Sequence, residues 1–138
     1  DGIYVLRTSV DADTLDPAKA SNATDYTRIC AYYNRLTFLN ENSEVQMELA
    51  ESVETTDAKV WTIKLKSGVE FHDGKTLSSE DVVFSLRRHL DEAVGSKVNS
   101  IAKQFVDIKA TGPLTVEITL VGPNAVTSMP SRCSSGRR

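Results

Sequence analysis

Residues 61–85 read WTIKLKSGVEFHDGKTLSSEDVVFS, and most of the architecture follows from them. Trp61, Ile63 and Leu65 alternate with Thr62 and Lys64, the period-two pattern of a strand with one apolar face. Gly68 and then His72-Asp73-Gly74 supply turn chemistry on either side of a short Val69–Phe71 segment. Ser78-Ser79-Glu80-Asp81 opens a helix: a serine hydroxyl can accept the orphan N–H groups, and the acids face the positive end of the helix dipole. Val83, Leu86 and Leu90 form the buried stripe of that helix, and Arg87 and Arg88 are expected in solvent.

Working towards the amino end, Val53 to Leu65 reads as a hairpin with Thr55-Thr56-Asp57-Ala58 as its turn. Val45, Met47 and Leu49 alternate as in a strand. Between Thr24 and Leu36, Ile29, Tyr33 and Leu36 recur at helical spacing, with Asn22 or Thr24 as the cap. Residues 11–17 combine a proline with several carboxylates and read as loop, after an apolar Ile3-Tyr4-Val5-Leu6 suited to a buried strand. Towards the carboxyl end, Val98, Ile101, Ala102 and Phe105 predict a second short helix after Gly95. Val106, Ile108 and Ala110, then Val116, Ile118 and Leu120, predict a second hairpin around Gly112-Pro113. Three helices among strands place the chain in the α/β or α+β class.

The 138 residues suffice for one compact domain with a real core. Apolar residues are 40% and charged residues 25%, an ordinary globular balance that excludes collagen-like and fully disordered classes. The formal charge is −3, but Arg132, Arg137 and Arg138 lie in the last 13 residues, so the remainder carries −6. An acidic body argues against a nucleic-acid partner. No apolar run approaches the ~20 residues of a membrane span. The start, Asp1-Gly2-Ile3-Tyr4, lacks the basic and apolar regions of a signal peptide, so an export signal is expected to be absent from this chain.

The last segment, VTSMPSRCSSGRR over 126–138, has no periodicity and is rich in Ser and Arg. It reads as a basic tail without a core of its own, or as the product of a shifted reading frame.

Several patterns could in principle carry chemistry. His72-Asp73 could orient an imidazole for base catalysis, but the only other histidine is His89 and no motif links the two. Asp11, Asp13 and Asp16 begin like a calcium loop, yet position five is Leu15, position six is not Gly and position twelve is Asn22 rather than Glu. No phosphate-cradling glycine pattern and no GxSxG elbow occurs. Asn22-Ala23-Thr24 matches the glycosylation sequon. Cys30 and Cys133 do not form CxxC. Loop arithmetic favours a bridge between them, but Cys30 lies within the apolar helical pattern and reads better as a small buried residue. These residues give no support for an enzyme, a metal site or a cofactor.

Residues 61–85 do resemble the signature stretch of the family 5 extracellular solute-binding proteins, the dipeptide- and oligopeptide-binding components of bacterial ABC importers. Four further segments are similar and fall in the same order: Thr14-Leu15-Asp16-Pro17, Tyr33-Asn34-Arg35-Leu36, Leu49-Ala50-Glu51-Ser52 and Thr115-Val116-Glu117-Ile118-Thr119-Leu120. The resemblance implies the type II periplasmic-binding-protein fold, two α/β lobes closing on solute about a hinge. It implies that residues 1–125 are the N-terminal part of the first lobe, with a mixed sheet, hairpins and three helices, and that 126–138 lie outside the family pattern.

The same resemblance implies a solute-capturing role without catalysis, membrane permease subunits as partners, and a periplasmic or extracellular location, lipid-anchored in some relatives. Peptide is the leading solute; nickel, opines and oligosaccharides are the alternatives within the family. A self-contained protein-interaction domain on this scaffold is the alternative outside it, and self-association is expected of the truncated lobe itself. Family likeness puts peptide-contacting backbone on the loop after the first strand, here Ser9, Val10, Asp11, Ala12 and Asp13, with Asn22, Ala23, Thr24, Asp25 and Tyr26 as a second stretch. Backbone recognition suits variable peptides, whose N–H and C=O groups recur whatever the side chains.

Because residues 126–138 lack the apolar pattern needed to offset ordering entropy, their deletion is expected to leave the urea midpoint unchanged within error. A clear drop would show that the tail packs.

Overall fold

The computed structural model describes residues 10–124 of the 138. The expected Ile3–Leu6 strand, Ser9, the 126–138 tail and Cys133 lie outside the described residues. The elements are α1 (Ala23–Tyr32), β1 (Thr37–Leu39), β2 (Val45–Met47), β3 (Ala50–Thr55), β4 (Val60–Leu65), α2 (Ser79–Arg88), α3 (Asn99–Ala102), β5 (Phe105–Gly112) and β6 (Thr115–Leu120), with a 3₁₀ turn at Glu92–Val94. The expected α/β class holds. Every strand pairing among the described residues is antiparallel: a β1–β2 ribbon and a four-stranded sheet of order β3-β4-β6-β5.

The alternation in the sequence sets the faces of this sheet. Ile63 lies opposite Val116 and Val53, and Ile118 lies between Trp61 and Ile108. Ile63, Leu65, Ile108, Val116, Ile118 and Leu120 are almost wholly buried, so each forfeits nearly all contact with water. Such burial is worth roughly 1.5–3 kcal/mol per side chain. The opposite face carries polar rows, among them Thr62 beside Glu117 and Glu117 beside Lys109, whose Nζ lies 2.7 Å from the Glu117 carboxylate. Helix α2 covers the apolar face through Val82, Val83 and Leu86.

Local chemistry explains the turns. Asp57 accepts from the N–H groups of Lys59 and Val60 at 2.9 and 2.8 Å, closing the β3–β4 turn while Ala58 takes a φ of 54°. Gly74, at φ +86°, turns the 71–75 loop, in which Phe71 donates to the Lys75 carbonyl and Gly74 to that of Phe71. Such a φ suits glycine, which has no Cβ to clash. At the start of α2 the Asp81 carboxylate accepts from the Ser78 N–H (3.0 Å) and Oγ (2.6 Å), and Lys75 reaches it as well. Ser79, the buried first residue of α2, ties it to the β5–β6 turn: its Oγ donates to the Gly112 carbonyl and its N–H to that of Pro113.

Five local expectations are corrected. Helix α1 ends at Tyr32, four residues before Leu36. Leu36 is buried instead as extended chain, its carbonyl accepting from the N–H groups of Glu48 and Ala50. Tertiary pairing outcompetes the helical periodicity there. This leaves Cys30 exposed rather than buried. The strand expected at Val45–Leu49 stops at Met47, and β1, unanticipated, pairs with it. The helix expected from Val98 to Phe105 is only Asn99–Ala102, because Phe105 already pairs with Leu120 in β5. Finally, Arg87 and Arg88 are not simply solvated: Arg87 donates to the Ile108 carbonyl at 2.6 Å, and Arg88 reaches back to Asp16.

Trp61 lies on the core face as expected but only half-buried, its indole N–H donating to the Ala58 carbonyl at 3.2 Å. Trp61→Ala should therefore cost about 2–3 kcal/mol in urea denaturation, below the ~3–5 of a fully enclosed tryptophan. Fluorescence typical of a fully water-exposed indole in the folded chain would contradict this placement.

Candidate functional site

The candidate segments meet at the start of α1. Asn22 caps this helix, its side-chain oxygen accepting from the Asp25 N–H at 2.8 Å. The Asp25 carboxylate is 0% exposed. It accepts from the N–H groups of Asp13 (2.8 Å), Ser21 (3.3 Å) and Thr14 (3.4 Å). Burial alone would push this carboxyl up, but the converging backbone N–H groups outweigh it and hold the group below its usual range. The Asn22 amide also donates to the Asp13 carboxylate at 2.9 Å, and Arg28 on α1 pairs with Asp11. The structure thus brings residues 10–13 and 22–26 into one cluster.

Within it the residues differ. Val10 is 61% exposed. Asp11 and Asp13 are exposed as well, whereas Ala12, Asn22, Thr24 and Tyr26 are half-buried and Ala23 is exposed. The Tyr26 hydroxyl donates to the Ala20 carbonyl at 2.9 Å, and its ring packs on Ala20 and Ile29. These contacts build the small apolar cluster beneath the loop.

The other end of the loop is tied to the main body. Asp16 takes two hydrogen bonds from Arg88 on α2, at 2.9 and 3.2 Å, and the Ala18 carbonyl accepts from the Lys97 N–H. The Arg88 guanidinium, ahead of the opposing effect of burial, holds the Asp16 carboxyl below its usual range. Local sequence patterns did not reveal this pair, because its members are 72 positions apart. In the sequence Asp16 stands out only in the Thr14-Leu15-Asp16-Pro17 segment and in the calcium-loop-like run with Asp11 and Asp13, neither of which points to Arg88.

The histidines sit apart from this cluster. His72 Nε2 lies 3.1 Å from the Tyr32 carbonyl, while Asp73 accepts from the Lys75 N–H. His89 Nδ1 lies 2.7 Å from Ser96 Oγ, and burial, with Arg88 nearby, lowers its pKa. Among the described residues no three His, Cys, Asp or Glu side chains are grouped to hold a metal ion.

Comparison with known proteins agrees with this architecture. Residues 44–134 match the model of the bacterial extracellular solute-binding proteins, family 5. The glutathione-binding protein GsiB of Escherichia coli (strain K12) is 32% identical over 111 residues, covering 80% of this chain and 22% of GsiB. The solved structure of AgaA from A. tumefaciens R10 with agropinic acid matches with a TM-score of 0.78 and 31% identity, over 83% of this chain and 23% of AgaA. The oligopeptide-binding protein AppA of Bacillus subtilis, bound to a nonapeptide, matches with a TM-score of 0.76 and 27% identity, over 82% and 23%. The fold is that of the periplasmic binding proteins, and the chain belongs to the family 5 extracellular solute-binding proteins. It spans about a fifth of the length of the relatives it matches.

The Asp16–Arg88 pair is half-exposed, so Arg88→Ala should cost only about 1 kcal/mol. Because the folded Asp16 carboxyl titrates below its unfolded counterpart, the contribution should be complete above pH ~4 and fade as pH falls through the lower, folded value. Wild-type and R88A denaturation curves should accordingly converge in strong acid. A constant gap at every pH would assign the loss to packing rather than charge.

Proposed function

We propose that this chain is part of the solute-capturing component of a peptide-type ABC importer, working outside the cytoplasm with permease subunits in the membrane. Residues 9–13 and, apart from the enclosed Asp25 that supports them, residues 22–26 form part of the wall against which the solute lies. The observation that carries this reading is the convergence of two separate candidate stretches on one exposed surface, held from beneath by Asp25. Exposed backbone beside a short helix can pair with an extended peptide in the manner of an added strand, without regard to its side chains. No proton or electron need move: the work is binding and release.

Two observations favour second readings. The match to AgaA with agropinic acid supports a small non-peptide solute such as an opine, since one scaffold can serve many ligands. Exposed Leu39, Val45 and Met47 share one face of the β1–β2 ribbon, which supports self-association of the isolated chain.

In this family reading, affinity arises when solute is enclosed from both sides, and one wall offers only a few hydrogen bonds. Each is worth ~0.5–1.5 kcal/mol net, while association costs at least ~4 kcal/mol. The 138-residue chain should therefore bind no tighter than roughly millimolar, whereas the chain extended by the remaining family lobes should bind far more tightly. Calorimetry with di- to pentapeptides, agropinic acid and glutathione on both proteins tests this. Micromolar binding by the short chain would favour a self-contained module, and opine-only binding by the long one would replace peptide as the solute.

A further inference from the structure

Within the candidate loop the N–H groups of residues 12–14 are already occupied. Ala12 donates to the Asp11 carboxylate at 2.8 Å, Asp13 and Thr14 donate to Asp25, and Asp16 donates to Thr14 Oγ1 at 3.0 Å. By contrast, no carbonyl of residues 10–14 accepts a hydrogen bond from another described residue. The loop is exposed at Val10, Asp11 and Asp13. Over residues 12–14 the available backbone groups are therefore acceptors, and the carboxylates of Asp11 and Asp13 stand beside them.

The group that imposes this polarity is Asp25. It is wholly enclosed, so it cannot touch a solute. No lysine or arginine forms a salt bridge with it among the described residues, and its charge is met by backbone N–H groups, two of them from the loop. A carboxylate accepts only, so each N–H aimed at it is withdrawn from the surface. Leaving such a buried charge without donors would be costly, which ties the loop conformation to it.

Resting on the site reading above, we propose that Asp25 is a positioning residue: by drawing the Asp13 and Thr14 N–H groups inward, it leaves residues 12–14 as an acceptor-lined stretch of wall that selects hydrogen-bond donors, such as the N–H groups of an extended peptide. Asp25 then sets solute preference without contacting solute. The second tether, Arg88 on Asp16, holds the far end of the loop but takes up none of these N–H groups.

The test is amide-resolved NMR on the full 138-residue chain, comparing wild type with Asp25→Asn and Asp25→Glu, using triglycine and its N-methylated counterpart trisarcosine as probes. Hydrogen exchange at Asp13, Thr14 and Ser21 should be slow in wild type and at least about tenfold faster in D25N, as expected for loss of charge-assisted bonds. Amides of α2, β4 and β6 should be unchanged, which reports that the fold is intact, and D25E, which retains the charge, should restore part of the protection. Triglycine should shift resonances of residues 10–14 in wild type at concentrations where trisarcosine, lacking internal N–H donors, does not, and D25N should narrow that preference.

Unchanged exchange in D25N overturns the proposal. So does lost protection with the triglycine preference intact, although the loop would then still be a binding surface. An equal wild-type response to both peptides removes the acceptor wall while leaving the site in place. No response of residues 10–13 or 22–26 to either peptide removes the site itself, and the proposal with it. Should D25N fail to fold, the wild-type exchange and peptide preference alone still decide against the proposal if either is absent.

Discussion

Strand β4 pairs along both of its edges, and this constraint shapes the remainder of the molecule. Its partner β3 is supplied locally by a short turn, but β6 arrives only after residues 66–114. A lone hairpin is marginal in water, because two strands cannot enclose a hydrophobic face. Ile63 and Leu65 therefore stay buried only if the intervening chain both delivers β6 in register and covers the face it completes. Helix α2 does the covering, and its two ends are pinned to the same hairpin, Ser79 to the Gly112 carbonyl and Arg87 to that of Ile108. Side chains bonded to main-chain carbonyls hold the helix over the sheet independently of the exact fit of Val82, Val83 and Leu86.

Carboxylates perform one recurring task in this chain. Asp57, Asp81 and Asp25 each gather backbone N–H groups that a turn or helix start leaves without partners. The first two do so at or near the surface, where water could substitute. Asp25 does it in complete burial, where water cannot, and that difference separates a convenient turn from an obligatory one. It also explains how a loop rich in acids and lacking regular structure can hold a defined shape beside α1.

The family resemblance is carried mostly by scaffold features. Of the segments that carry the family resemblance, the β4 arm, the His72-Asp73-Gly74 turn and the start of α2 build the scaffold, whereas Thr14-Leu15-Asp16-Pro17 lies within the 10–26 cluster, where Arg88 holds Asp16. The relatives' own solutes span glutathione, an opine and a nonapeptide, as their names and structures record. One shared fold can carry different ligands through its loops.

What could be read from the sequence was whatever depends on near neighbours. Period-two alternation marked β4 and β6, the Thr55–Ala58 turn and the Ser78-to-Asp81 cap fell where expected, and ordered motifs revealed the family. Family resemblance, and not local chemistry, brought forward both stretches of the candidate site. Other features depended on partners far away in the chain. Leu36 matches a helical stripe, yet pairing with residues 48–50 draws it into extended structure. Phe105 matches the end of a helix, yet Leu120 claims it for a strand. Arg88 looks like a solvated helix charge until Asp16 is folded against it, and Asp25 looks like any first-turn acid until Asp13 and Thr14 close over it. Periodicity and capping are fixed by residues within a turn or two, so the sequence determined them by itself. Which hydrogen-bond partner a group finally takes, and whether water remains beside it, is a property of the assembled fold, and only the tertiary structure decided it.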